Sequence, residues 1–267
     1  MQSHLRRRHL PLSLMSLLLV LTALSHSATP ATAEDDERAR LPLAAGSTIW
    51  TDTGGICTVG AVFKRTGWGA NASRYTASFR YLVTAKHCAP EIGRVYSVGN
   101  MQVGIVTWVS PTEDVELVQV PPEVTRTDSC FSSQACFLGS IIAPRAIGRV
   151  WMAVHGRLRA IPMRYRAVPG ADERFCTSGV ISGVNCNWVL EEDRPPDWPS
   201  MQGQIARSLN AIGVQWGDSG GPVIGADGEL YGIIQKLGLG GYRYLMQYLP
   251  IETVMSESDY LYEIAPS

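Results

Sequence analysis

Gly217-Asp218-Ser219-Gly220-Gly221-Pro222, near the C-terminal end, is the stretch from which the rest of the chain is read. A serine between small residues, followed by two glycines, sits on a tight turn with its hydroxyl exposed. Glycine backbones also let a carbonyl group come close to the Gly217 and Ser219 amides. The same residue types form ordinary turns between strands for reasons of turn chemistry alone. A serine hydroxyl becomes a useful nucleophile only when a neighbouring base takes its proton. The histidines therefore choose between the two readings.

The chain holds five histidines: His4, His9, His26, His87 and His155. The first three fall in a leader with the features of an export signal. His155, in Val154-His155-Gly156-Arg157, has no recognisable partner nearby and reads as structural. His87 closes the apolar run Tyr81-Leu82-Val83-Thr84-Ala85 and is followed at once by Cys88. Asp114-Val115-Glu116-Leu117-Val118 adds a carboxylate at the head of an alternating run. Glu113 is a rival for that role. Alternation along a strand would turn it to the face opposite Asp114.

Thr84-Ala85-Lys86-His87-Cys88, Asp114 with its apolar run, and the stretch from Gly217 to Pro222 resemble the three motifs of the chymotrypsin-like serine proteases, compact bacterial secreted branch. They stand in the order His, Asp, Ser that separates this family from subtilisins and α/β-hydrolases. The resemblance covers Gly46 to Val254. It implies two packed six-stranded antiparallel β-barrels with a short C-terminal helix, an all-β fold with the site in the cleft between the barrels. It implies His87, Asp114 and Ser219 as a catalytic triad, with the Gly217 and Ser219 amides as the oxyanion hole. Neither a cofactor nor a metal is implied. Protein or peptide substrates, and proteinaceous inhibitors, are the implied partners of a monomer. A catalytically silent binding module on the same fold is the alternative. It is disfavoured because all three triad positions carry the required residue.

Residues 1–33 read as a signal peptide: Arg6, Arg7 and Arg8 precede an apolar run from Leu10 to Leu24, and Ala31-Thr32-Ala33 offers a small-x-small cleavage site. That run is short for a bilayer span. The expectation is a secreted protein with no membrane segment. The short interval between Ala33 and Gly46 leaves no room for the large pro-domain that many bacterial relatives carry. Without its three leader arginines the chain's net charge moves from −1 to −4. No basic tract interleaved with aromatics remains, so nucleic acid is an unexpected partner.

Six cysteines lie after the leader, an even number for an oxidising compartment, and they allow fifteen pairings. No Cys-x-x-Cys pair points to zinc. The resemblance implies Cys57–Cys88 beside the histidine and Cys176–Cys186 across a hairpin, and leaves Cys130 and Cys136 for each other.

Independently of the family, short apolar runs recur between Gly, Pro, Asn and Ser, at Ile56 to Phe63, Tyr81 to Ala85, Val103 to Val109, Val115 to Val120, Val150 to Val154 and Leu230 to Ile234. These are strand lengths at strand spacing, the pattern of a sandwich or barrel. The expected organisation is an N-terminal extension over 34–45, a first barrel over 46–128 carrying His87 and Asp114, and a second over 129–267 carrying Ser219. The proline-containing interval from Pro121 to Ser133 is the expected linker, and Pro250 to Val254 opens a terminal helix. The acidic, proline-rich stretch 191–199 reads as a surface loop bordering the cleft.

Two site features depart from the family. Its buried aspartate, here Asp218, needs partners because an unpaired buried carboxylate is costly. The arginine that compact bacterial members commonly place beside the hairpin cysteine is Thr177 here, and Arg174 is the nearest substitute. The family's primary pocket has its base six residues before the nucleophile, which is Gly213, and Trp216 is expected at its mouth. No carboxylate stands between Ala211 and Trp216, so selection of Lys or Arg lacks a counter-charge and small or apolar residues are expected at the cleavage position. Lys236 would favour acidic side chains only if it faced inward.

Overall fold

The computed structural model describes residues 37–132, 135–196, 198 and 203–267, with the backbone alone over 128–132 and 135–138. The leader lies outside these residues. Strands form over the short apolar runs, except that Ile56 to Phe63 is not one strand but two, broken at Val59 and Gly60. The N-terminal half holds β1 (Leu43–Ala45), β2 (Thr48–Thr51), β3 (Ile56–Thr58), β4 (Ala61–Arg65), β5 (Arg80–Thr84), β6 (Val95–Val98), β7 (Met101–Val109) and β8 (Glu116–Val120). A ribbon of β9 (Glu123–Ser132) and β10 (Ala135–Ala143) follows, then β11 (Ala146–Val154) and β12 (Arg157–Pro162). The C-terminal half holds β13 (Phe175–Gly179), β14 (Gly183–Glu191), β15 (Gln204–Ser208), β16 (Pro222–Ile224), β17 (Leu230–Leu237) and β18 (Leu245–Pro250). One short helix, α1 (Arg74–Ala77), precedes β5; a second, α2 (Ile251–Glu257), follows β18 and leads to β19 (Tyr262–Ile264).

The C-terminal half is a closed six-stranded barrel in the order β13-β14-β15-β18-β17-β16, shut by the β13–β16 pairing. The N-terminal half is an eight-stranded sheet in the order β19-β4-β5-β8-β7-β6-β2-β3. It curls round its own core because β3 and β4, at opposite ends of that order, are joined by Val59 and Gly60 alone. Gly46 donates to Val59 O at 2.6 Å and Gly60 to Val83 O at 2.8 Å across the gap. The chain end adds β19 outside β4. A third, small sheet, β1-β11-β12, ties the N-terminal segment to the chain between the two halves.

Side-chain alternation builds three cores. On β5, Leu82 points into the N-terminal core with Ile49, Val62, Val106 and Val118, while Tyr81 and Val83 point into a shared middle layer. On β17, Tyr231 and Ile234 fill the C-terminal barrel with Phe175, Trp188 and Tyr248, while Leu230 and Ile233 join the middle layer. Strands buried on both faces read as continuous apolar runs. That is why Tyr81 to Ala85 and Leu230 to Ile234 lack a polar face.

The interval from Pro121 to Ser133 is a strand for most of its length, paired with β10 from Glu123 to Ser132. Val124, Thr125 and Thr127 supply the β-branched residues that suit a ladder. Cys130 and Cys136 face each other in that register, but their pairing lies outside the described side chains. Among the described residues no helix is long and apolar enough to cross a membrane.

Candidate active site

Three loops meet between the two β units. Behind β5 the chain makes a single 3₁₀ turn, Lys86–Cys88, held by the Cys57–Cys88 disulfide and by Cys88 N donating to Ala85 O at 3.1 Å. His87 stands at the apex, with 45 % of its side chain exposed. The loop from Ser110 to Val115, between β7 and β8, presents Asp114. Its Oδ1 accepts from the His87 backbone amide at 2.9 Å and its Oδ2 meets His87 Nδ1 at 2.7 Å. A carboxylate only accepts, so Nδ1 carries the proton and Nε2 is left as an acceptor. Nε2 lies 2.8 Å from Ser219 Oγ, on the loop between β15 and β16. Glu113 turns the other way, into the protein, and is 4 % exposed. Burial, with the Glu257 charge nearby, pushes its carboxyl above the usual range.

The Ser219 loop is bent by Gly217, at φ +103°, and Gly220, at φ +79°, a region side chains rarely occupy. Among the described residues neither the Gly217 nor the Ser219 amide has an acceptor in the protein. Both are free to bind an incoming oxygen. The N-terminal unit braces this loop. Thr58 donates through Oγ1 to Gly217 O at 2.8 Å and through its amide to Ser219 O at 2.9 Å, while Thr84 Oγ1 donates to Thr58 O at 3.0 Å. Gly60 lies so close that a Cβ there would stand 2.2 Å from Gly220 O. Thr84 opens the histidine motif, but nothing in the sequence marks Thr58 or Gly60 as its partners. Their proximity to Cys57 is the only signal those two carry.

Asp218 is fully buried, and Arg174 does not hold it. Phe175 points inward at the start of β13, which turns Arg174 to the surface. The carboxylate is met by backbone amides instead: Ile181 N at 2.8 Å and Ser182 N at 3.1 Å on Oδ1, and Gln215 N at 2.7 Å on Oδ2. These amides supply the partners without which a buried carboxyl would be costly. Cys176–Cys186 closes the hairpin that supplies two of these amides.

Gly213 packs against the chain at Arg243, where a Cβ would stand 2.0 Å from the carbonyl oxygen. Trp216 is 75 % exposed beside Gly217. Lys236 Nζ lies 5.0 Å from the centre of the Trp198 ring, a cation–π contact. Trp198 itself packs with Ile205 and Leu245. The acidic stretch is thus anchored rather than loose: Trp198 is buried, Arg194 donates to Gln247 Oε1 at 3.1 Å, and Glu191 accepts from Arg207 at 2.7 Å. Positions 197 and 199 lie outside the described residues. His155 occupies the two-residue turn between β11 and β12 with φ 50°, followed by Gly156 at φ 72°. Among the described residues no cluster of three His, Cys, Asp or Glu side chains could hold a metal.

No protein-family model matches the sequence, and no curated protein matches it. Solved structures do match in fold. Nocardiopsis protease (NAPase) superposes with a TM-score of 0.55 at 18 % identity, over 83 % of this chain and 98 % of that one. The Cellulomonas bogoriensis chymotrypsin gives 0.54 at 14 % identity, over 84 % and 98 %. A glutamic acid-specific serine protease described as using a histidine triad in substrate binding gives 0.52 at 21 % identity, over 83 % and 100 %. At such identities the likeness carries the fold.

Proposed function

We propose that this chain, which has the chymotrypsin-like protease fold, is a secreted serine endopeptidase that works through an acyl-enzyme. The observation that carries this reading is the unbroken line from Asp114 through His87 to Ser219, at 2.7 and 2.8 Å, with two unclaimed amides beside the hydroxyl. Ser219 Oγ attacks the scissile carbonyl while His87 Nε2 takes its proton. Asp114 holds the imidazole in the required tautomer and stabilises the imidazolium. The carbonyl oxygen, now negative, is met by the Gly217 and Ser219 amides. His87 then returns the proton to the leaving amine, and water repeats the sequence to release the acyl group. The second carboxylate of the loop, Glu113, is turned away from the imidazole and takes no part.

Export through the leader agrees with the two disulfides, which suit an oxidising compartment. At the cleavage position, small or apolar residues are proposed, since no acidic side chain stands between Ala211 and Trp216 and Lys236 is engaged with Trp198. A positional-scanning peptide library tests this preference, and strong selection of Lys or Arg would refute it. The enzyme reading itself is tested by treating the mature protein with a fluorophosphonate beside a Ser219→Ala control. Covalent labelling of the wild type alone is the expected result. An unlabelled wild type would favour the silent binding module.

A further inference from the structure

The loop that carries Asp114 is tied to the C-terminal helix by one carboxylate. Glu257, the last residue of α2, accepts from Thr112 Oγ1 at 2.8 Å and from Ser110 Oγ, both on the same oxygen, Oε2. Ser110 Oγ in turn accepts from the Glu113 amide at 2.9 Å and the Thr112 amide at 3.2 Å, and Ser110 N donates to Val115 O at 3.0 Å. Lys86, the neighbour of His87, donates from Nζ to Ser110 O at 2.9 Å. The turn bearing Asp114 is therefore closed on itself through Ser110, joined to the histidine turn through Lys86, and anchored to the far end of the chain through Glu257.

Glu257 occupies a position where exposed helix carbonyls favour a cation over a carboxylate. It also stands near the buried Glu113, whose carboxyl it pushes up, while Lys86 opposes that push. A carboxylate kept there against both effects is accounted for by its two hydroxyl donors. We propose that Glu257 is a positioning residue for Asp114, holding the loop from Ser110 to Val115 so that both Asp114 oxygens meet His87. It touches neither substrate nor the reacting atoms. The inference rests on the peptidase reading for its kinetic consequence, but the geometry it predicts at His87 does not need that reading.

The test uses the full mature chain with Glu257→Ala, Glu257→Gln and Thr112→Val, the last at an exposed position whose substitution keeps the side chain's shape. Two readouts are taken: the His87 titration and Nδ1–H resonance by NMR, and kcat and KM on a peptide cleaved by the wild type. Misplacing a catalytic group by about 1 Å costs up to about a hundredfold in rate. That loss is expected for Glu257→Ala, with KM held within about twofold and a weakened Nδ1–H signal. Thr112→Val should show a smaller loss in the same direction. Glu257→Gln should keep most activity, because one amide oxygen can accept from both hydroxyls. A folded Glu257→Ala protein with unchanged His87 titration and kcat would overturn the proposal. So would a lower melting temperature alone. If Glu257→Ala does not fold, Thr112→Val decides by the same criteria. A wild type that cleaves nothing, with His87 still shifted in the variants, would sink the peptidase reading and leave this one standing.

Discussion

At the scale of single residues, the proposed mechanism makes the members of the hydrogen-bonded line through His87 act as one unit. Replacing His87 or Ser219 with Ala should each remove about 10⁴-fold or more of the peptidase rate, and the double variant should lose little beyond either. Multiplicative losses, measured as kcat/KM on one peptide, would place one of them outside the unit. A second ionisable group belongs to stability rather than chemistry. Glu116 is fully buried, accepts from Tyr96 Oη at 2.6 Å on Oε1, and has no partner on Oε2 among the described residues. Burial pushes its carboxyl up from 4.5 to about 8. The folded chain then keeps a proton that the unfolded chain releases, so this group makes stability fall as pH rises from about 4.5 to about 8. Glu116→Gln keeps the shape and the acceptor for Tyr96 but cannot ionise. Urea unfolding at pH 5 and pH 8 should show a smaller decline for the variant than for the wild type; equal declines would contradict the assignment.

At the scale of elements, the site depends on close approach between a turn of one β unit and a loop of the other. The β3–β4 connection brings Gly60 against the Ser219 loop, with positions for a Cβ only 2.2 Å from Gly220 O and 2.4 Å from Ile233 Cγ2. Gly60→Ala should therefore push the loop off Thr58. A stability loss of about 1–3 kcal/mol is expected, the usual range for overpacking, together with slower fluorophosphonate labelling. Unchanged melting and labelling would mean that the two elements can separate without cost. The strands themselves were legible as apolar runs bounded by turn residues. The ribbon over 123–143 was harder to see, because Pro121, Pro122 and the polar residues between them and Ser133 look like a linker until β10 supplies the partner strand.

At the scale of the whole molecule, the C-terminus crosses back to the N-terminal unit. After α2, β19 pairs with β4 from Tyr262 to Ile264, and the Tyr262 ring lies 4.9 Å from Tyr81 and 6.4 Å from Phe63. Ending the chain at Tyr260 removes those contacts and the edge strand. Each aromatic pair contributes about 0.5–1.5 kcal/mol beyond buried area, so thermal melting should fall clearly. Because α2 and Glu257 remain, the His87 titration should survive. Loss of both would show that β19 also holds the helix in place.

The sequence by itself determined the class of fold and the residues of the three motifs. Strand-length apolar runs, a histidine beside a cysteine, and a serine flanked by glycines are local patterns whose physical meaning does not depend on distant partners. Tertiary structure alone decided the partners of Asp218, Thr58 and Glu257. Asp218 is satisfied by the amides of Ile181, Ser182 and Gln215 rather than by Arg174, because the hairpin turns its backbone toward the carboxylate and β13 turns Arg174 away. Thr58 reaches Gly217 across 159 positions, and Glu257 reaches Ser110 across 147. A hydroxyl or a carboxylate looks the same in sequence whether it faces water or another loop. Only packing of the two β units against their shared apolar layer brings such groups within hydrogen-bonding distance.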